Sequence, residues 1–458
     1  MSSRQARRDF LKQSALIGLG AWMGGGSPLW AKERSPNERL RIASIGVGGK
    51  GKSDTQQAGM VGDLVAICDI DDQRLDAIAK EFPQAKRYHD FRKMLEEMEG
   101  SIDAVTVSTP DHTHAPASMM AMRMSKHVYC QKPLTYSVFE ARAMREAAAK
   151  YKVVTQMGNQ GTALSGFRQA VEVIQAGAIG PVREVHVWTN RPGTYWRQAP
   201  QYTARPQETP AVPANVHWDL FIGPAPERPY HPWYHPFGWR GWRDFGTGAL
   251  GDMACHTANM AFMALKLGAP TTVSSVNAPI NLETFQDWAT VTYQFPARGD
   301  LAPCKLVWWE GIKEGKRNLP PAELVYGNKF SDSGSVLIGD KGILFSPNDY
   351  GASYTLLPEK EFVGYKAPKP HIPRREGKDP KHGFDLEMKR EWVEGIKGGP
   401  APLSNFDYAG PLTEAMLLGN IAIRLGKKIE WDSEHLSVTN APEAAPLIKR
   451  EYRQGWTL

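Results

Sequence analysis

Leu40-Arg41-Ile42-Ala43-Ser44-Ile45-Gly46-Val47-Gly48-Gly49-Lys50-Gly51 is the stretch on which the fold turns. Its first six residues read as a buried strand, and the spacing Gly46-x-Gly48-x-x-Gly51, with Gly49 as an extra glycine, follows at once. In such a turn the first glycine permits the tight bend, the second lets the backbone approach a pyrophosphate, and the third allows close helix–strand packing. The helix that opens there aims its free N–H groups at the phosphates. A second apolar run, Leu64-Val65-Ala66-Ile67-Cys68, ends in Asp69, where a carboxylate is expected to bond the adenosine ribose hydroxyls. A carboxylate there repels a 2′-phosphate, so NAD is expected over NADP, with Arg74 as the residue that could accept that phosphate.

Outward from this turn the chain keeps alternating. Helices are predicted over 74–81, 91–98, 117–124 and 140–150, the last opened by a Ser137/Glu140 capping box. Strands are predicted over 104–108, 127–130 and 153–156. Strand–helix alternation implies a doubly wound parallel sheet, a Rossmann domain over 38–160. Ligands bind beyond the carboxyl ends of such strands. The residues there are Thr109, Pro110, His112 and His114, then Gln131 and Lys132, then Asn159 and Gln160. The first six are assigned to the cofactor's surroundings and the last two to substrate. The His112-x-His114 spacing has no carboxylate or thiol cluster to complete a metal site, so no metal is expected.

The chain has 458 residues, 41% hydrophobic and 23% charged, the composition of a globular protein with two domains. Its net charge is +6, and Arg4, Arg7, Arg8 and Lys12 against Asp9 concentrate part of that before residue 32. The remainder is too small to suggest nucleic acid or an anionic membrane. Four scattered cysteines with no C-x-x-C argue against a disulfide framework or zinc site. Residues 1–31 resemble a twin-arginine signal: Arg7-Arg8-Asp9-Phe10-Leu11-Lys12 precedes a Gly-rich apolar run too short for a stable membrane span. The resemblance implies export of the folded protein by the twin-arginine translocase to the periplasm or beyond. An exported nicotinamide enzyme is then expected to carry its cofactor tightly bound.

The glycine turn, Thr109–His114, Lys132-Pro133 and Gly251-Asp252-Met253-Ala254-Cys255-His256 together resemble the Gfo/Idh/MocA family. The resemblance implies a Rossmann domain followed by an α/β domain (161–430) with an open, mainly antiparallel sheet, then a tail over 431–458. It also implies a sugar, cyclitol or other polyol substrate and a homo-oligomer, dimer or tetramer. The family's Glu-Lys-Pro is Gln131-Lys132-Pro133 here, which removes a negative neighbour from Lys132 and by charge alone should favour its neutral form.

Oxidising a secondary alcohol needs a base for the hydroxyl proton and a donor for the developing oxyanion. Lys132 and His256 suit these roles, and Asp252, four residues before His256 on a predicted helix over 250–267, could orient the imidazole or bind a hydroxyl. Residues 217–245 are dense in rings, among them Trp239 and Trp242, which could form a sugar platform or simply pack a long loop. Arg191 and Trp196 could join the same wall. Strands are predicted at 182–188, 272–278, 287–295 and 303–309, a hairpin over 335–345, and helices at 166–176, 383–396 and 408–426. Three functions stay open at this point: an NAD-dependent sugar or cyclitol oxidoreductase, a redox-neutral glycoside hydrolase or lyase that oxidises its sugar transiently, and a silent sugar-binding protein.

Overall fold

In the computed structural model the described residues are 39–191 and 204–458. Buried apolar strands of the first half form a six-stranded parallel sheet in the order β3-β2-β1-β4-β5-β6. These are β1 (Arg41–Ile45), β2 (Asp63–Cys68), β3 (Lys86–Tyr88), β4 (Ala104–Val107), β5 (His127–Cys130) and β6 (Thr155–Met157). The helices between them are α1 (Lys50–Val61), α2 (Asp72–Glu81), α3 (Phe91–Glu97), α4 (Asp111–Arg123) and α5 (Val138–Tyr151). The order reverses between β1 and β4, so a crevice opens beyond their carboxyl ends. The capping box at α5 is present, with Glu140 N–H donating to Ser137 Oγ and Ser137 N–H to Glu140 Oε2.

One helix starts earlier than its apolar spacing predicts. Thr109–His114 is no free turn, because α4 begins at Asp111 and both histidines lie in its first turn. Pro116 in that helix has no N–H for the carbonyl four residues back, and Arg450 Nη2 supplies the missing donor to His112 O at 2.6 Å.

After α6 (Ser165–Gln175), the second half builds a ten-stranded mixed sheet. Its strands are β7 (Val182–Thr189), β8 (Thr272–Asn277), β9 (Trp288–Phe295), β10 (Cys304–Lys313), β11 (Lys316–Arg317), β12 (Gly334–Gly339), β13 (Gly342–Ser346), β14 (Thr355–Leu357), β15 (Ile429–Asp432) and β16 (Ser437–Val438). Among the described residues of this sheet only β7 and β10 pair in parallel; the other ladders are antiparallel. Between β7 and β8 lie α7 (Trp218–Ile222), α8 (Gly248–Thr257) and α9 (Asn259–Leu265), so the helix expected over 250–267 breaks at Ala258. Asp252 and His256 share α8.

The last helices, α10 (Gly383–Ile396) and α11 (Phe406–Leu425), tie the halves together. Trp392 on α10 is fully buried edge-on against Tyr129 of β5, and its Nε1 donates to Val154 O at 3.2 Å. The final residues also pack inward: β15 and β16 extend the second sheet, Arg450 pairs with Glu140 of α5 at 2.9 Å, and Trp456 reaches the crevice under Arg92. None of the described helices is long and apolar enough to cross a membrane.

Candidate active site

A cleft of about 520 Å³ runs from the glycine turn to α8. The turn fits a pyrophosphate because side chains are barred from it. Gly46 has φ +77°, and a Cβ there would lie 2.7 Å from Ser108 O. A Cβ on Gly51 would lie 1.9 Å from Gly46 O, so that glycine closes the packing behind the turn and does not line the cleft. Gly48 and Gly49 do line it, as do Thr109, Pro110 and Gln131. Asp69 also lines it, although its carboxylate has a second task. Its Oδ2 accepts from Val47 N–H at 2.8 Å and Gly48 N–H at 3.1 Å, and its Oδ1 from Asp71 N–H at 3.0 Å. Burial pushes Asp69 up against the opposing pull of Arg74 and these donors. Arg74 lies across Gly48, where a Cβ would meet its Cδ at 2.2 Å.

Beneath the turn, the fully buried Asp54 gathers four donors. Lys50 Nζ stands at 2.6 Å, Gln131 Nε2 at 2.8 Å and Ser108 Oγ at 2.9 Å, and the buried Lys389 also bonds it. Burial alone would raise this carboxyl, but Lys389 and Lys50 outweigh it and hold it well below the usual range. The arrangement explains Gln131: a glutamate there would set a second carboxylate against Asp54.

At the other end, Lys132 Nζ sits 2.7 Å from Asp252 Oδ1 and 3.2 Å from Asp252 O. Loss of a glutamate at 131 therefore does not leave Lys132 without a negative neighbour, because Asp252 supplies one; this corrects the expectation drawn from charge at position 131 alone. His256, one helical turn on, is buried, and its Nδ1 has no hydrogen-bond partner. Burial, helped by Lys132, Lys50 and Arg191, pushes it well below the ordinary histidine value, so it is a neutral imidazole. Tyr350 packs edge-on against it, ring centroids 4.9 Å apart.

A carboxyl that sequence reading passed over completes this end. Asp111, on the cleft wall, accepts from Thr247 Oγ1 at 2.7 Å and Thr247 N–H at 3.0 Å. Burial, and then the charge of Asp252, raise it to about 7. It lay inside the quoted Thr109–His114 motif, and being its sole carboxyl was the available signal. Asp349, Tyr350 and Trp456 also line the cleft and come from distant segments with no motif to mark them.

Gln160, Arg191 and Trp239 stand on the cleft wall as expected of substrate residues. Four assigned residues act elsewhere or differently. His112 is buried off the cleft, its Nε2 2.8 Å from Phe221 O and its Nδ1 3.2 Å from Phe245 O, and burial lowers it to about 3. It fastens the aromatic segment to α4. His114 touches the cleft, but its ring bridges two carbonyls, Pro133 O and Thr109 O, each at 2.8 Å, and so aligns the ends of β4 and β5. Asn159 is fully buried off the cleft, donating to Cys255 O at 3.3 Å and accepting from Ser404 Oγ at 2.6 Å. Trp242 lies off the cleft in an apolar core with Trp218, Phe221, Tyr234, Phe245 and Trp239 itself, packed edge-on against Tyr234 at 4.7 Å. Trp196 and the twin-arginine-like segment lie outside the described residues.

Comparison with known proteins follows the same division. Residues 40–159 match the model of an oxidoreductase family's NAD-binding Rossmann fold, and residues 165–308 match the same family's C-terminal alpha/beta domain. A myo-inositol 2-dehydrogenase of Thermotoga maritima is 27% identical over 155 residues, 33% of this chain and 46% of that protein. A levoglucosan dehydrogenase of Pseudarthrobacter phenanthrenivorans is 26% identical over 184 residues, 40% of this chain and 37% of that one. The matched part thus spans less than half of each of these relatives. Among solved structures, the WlbA dehydrogenase of Bordetella pertussis, in complex with NADH and UDP-GlcNAcA, shares the fold at a TM-score of 0.59 and 16% identity, over 86% of this chain and 99% of that one. With both of the family's domains matched across more than half its length, the chain belongs to the Gfo/Idh/MocA oxidoreductases.

Proposed function

We propose that this enzyme oxidises a secondary alcohol on a sugar, glycoside or cyclitol with tightly held NAD. One observation carries the reading: the Lys132–Asp252 pair and the neutral His256 converge on the end of a cleft whose other end is the glycine turn. Bound nicotinamide supplies the acceptor for the hydrogen on the carbinol carbon. Lys132, fixed by Asp252, donates to the substrate oxygen as charge develops there. His256, a neutral imidazole on the cleft wall, takes the hydroxyl proton, which becomes strongly acidic as the carbon loses its hydride. Trp239, Gln160 and Arg191 offer the ring face and polar groups that a polyol needs. The inositol and levoglucosan dehydrogenases among the relatives support this substrate class. Asp69 at the expected adenosine end supports NAD over NADP.

A second reading, the redox-neutral glycosidase or lyase cycle, is favoured by Asp111. A buried carboxyl near 7 beside Asp252 is an extra acid–base group that simple alcohol oxidation does not use. The Arg7-Arg8 segment supports export in folded form to the periplasm. The deciding experiment is single turnover. The protein, with its own nucleotide, is mixed with polyols and glycosides while reduced-nicotinamide absorbance is followed. Absorbance that rises and persists until a carbonyl acceptor is added supports the oxidoreductase. Glycoside consumption without lasting absorbance supports the redox-neutral cycle. Lys132→Ala and His256→Ala should each abolish turnover while cofactor binding survives; full turnover in either removes that residue from the mechanism.

A further inference from the structure

Outside the catalytic end, three metal-ligating side chains from distant segments meet at the rim of the cleft: Asp72 in the first turn of α2, His89 after β3, and His217 just before α7. We propose that they form a binding site for one late first-row divalent cation of the zinc type, which clips the 215–217 segment onto the Rossmann domain.

The distances carry the proposal. His89 Nε2 lies 3.4 Å and His217 Nε2 3.3 Å from the same atom, Asp72 Oδ1. All three ligand atoms fall within 4.8 Å of one another. Zinc bonds to histidine nitrogen and carboxylate oxygen are about 2.0–2.1 Å long, which makes the edge of a tetrahedral site about 3.3–3.4 Å. Two of the three edges lie at that figure, and the third, between the two imidazole nitrogens, lies within 4.8 Å. His89 is also oriented from behind. Its Nδ1 stands 3.1 Å from Asp69 O, so with the proton on Nδ1 the Nε2 lone pair is the free one, the usual arrangement of a metal-bound histidine.

The ligands differ in origin, but the backbone already holds them in register. Asp72 N–H donates to Asn215 O at 2.9 Å and His217 N–H to Ile70 O at 2.8 Å. Little chain entropy therefore remains to be lost on binding. The imidazoles are stacked, centroids 4.0 Å apart with 27° between planes. Both in-plane lone pairs can converge on one ion only after the rings turn out of that stack, a small rotation about χ2, a broad and soft torsion in histidine, that re-forms the two edges around the metal and closes the third. The three side chains are about two-fifths exposed, which leaves a fourth position for water and an open path of entry. Two histidines and one carboxylate select zinc, nickel or copper over magnesium or calcium, which prefer all-oxygen shells. His89 lines the cleft beside Asp69, so the clip would stiffen the wall at the expected adenosine end of the dinucleotide.

The test uses the full chain, free of affinity tag and stripped with chelator, titrated with Co²⁺ and then Zn²⁺. One equivalent of cobalt should give the intense visible bands of a four-coordinate ion, and zinc should displace it. His217→Ala and Asp72→Asn should each weaken binding at least about tenfold, a loss of ~1.4 kcal/mol. His435→Ala, at a surface His435–Asp432 pair 2.7 Å apart, should leave it unchanged. Weak six-coordinate bands, or binding that survives both His217→Ala and Asp72→Asn, would overturn the site. These readouts do not depend on turnover, so a failed polyol screen and a failed metal site are separate results.

Discussion

Replacing Asp111 by asparagine should stabilise the protein, and by an amount that depends on pH in a defined direction. The Asp111 carboxyl is buried beside Asp252 and raised from 3.8 to about 7. A raised carboxyl binds its proton more tightly in the folded chain than in the unfolded one. Below about pH 3 both states hold the proton and the site contributes nothing. As pH rises toward 7 the unfolded chain ionises freely while the folded one resists, so folding loses stability, and above 7 the penalty is complete. Raising a carboxyl from 3.8 to about 7 corresponds to ~4 kcal/mol of lost stability, at 1.36 kcal/mol for each tenfold change in proton affinity. Asparagine keeps an oxygen to accept from Thr247 N–H and Oγ1 but has no charge to bury. Chemical denaturation of wild type and Asp111→Asn, each at matched cofactor occupancy, should therefore show only about 1 kcal/mol of this ionisation penalty near pH 4.5. The asparagine variant should then become progressively more stable, by up to about 4 kcal/mol near pH 8.5. A stability difference that stayed flat across this range, or that grew toward acid, would refute the account of Asp111 as a protonated neighbour of Asp252. If the redox-neutral reading is right, the same variant should also lose glycoside cleavage.

Gly51→Ala puts a Cβ 1.9 Å from Gly46 O, so nucleotide affinity should fall at least about tenfold (~1.4 kcal/mol) by calorimetric titration; unchanged affinity would contradict the packing assigned to that glycine. Gln131→Glu sets a carboxylate 2.8 Å from Asp54, and should cost about 1–3 kcal/mol at pH 8, with the loss relieved near pH 5 as the new carboxyl takes a proton. Equal thermal stability of this variant and wild type at both pH values would show that the two lysines neutralise both acids. Trp242→Phe and Trp239→Phe should each lower stability by about 1–3 kcal/mol, but only Trp239→Phe should also raise KM, as measured by thermal melts and steady-state kinetics. The reverse outcome would place the sugar platform on the wrong ring.

Sequence reading located elements well where local rules set them. The strand into Gly46, the Ser137/Glu140 box and the 334–346 hairpin each follow from period, cap or turn chemistry within a few residues. It was less able to say where a side chain points. His112, His114 and Asn159 all follow strand ends, which brings them near the crevice, but α4 begins at Asp111 and turns His112 toward Phe221 and Phe245. Strand-end position fixes neighbourhood, whereas the helix that starts there fixes direction. The aromatic run 217–245 was balanced between platform and packing because both uses demand the same residues. The structure uses it for both: Trp239 and Trp242 belong to one aromatic core, and of the two only Trp239 also reaches the cleft wall.

Gln131 shows why a charge cannot be read at one position. Losing the family's glutamate looked like a change in the environment of Lys132, its neighbour in sequence. The glutamine amide instead donates to Asp54, a residue of α1 whose partners, Lys50 and Lys389, lie 335 positions apart in one case and four in the other. Lys50 also pairs with Asp385 at 2.7 Å, so the two cations there already balance two acids, and a third at position 131 would be forced to take a proton. The carboxylate that does face Lys132 arrives from α8, 120 residues away. The glutamine next to Lys132 is therefore accounted for by the floor beneath the glycine turn: Asp54 is the buried acid there, Gln131 donates to it, and the partner of Lys132 is provided separately.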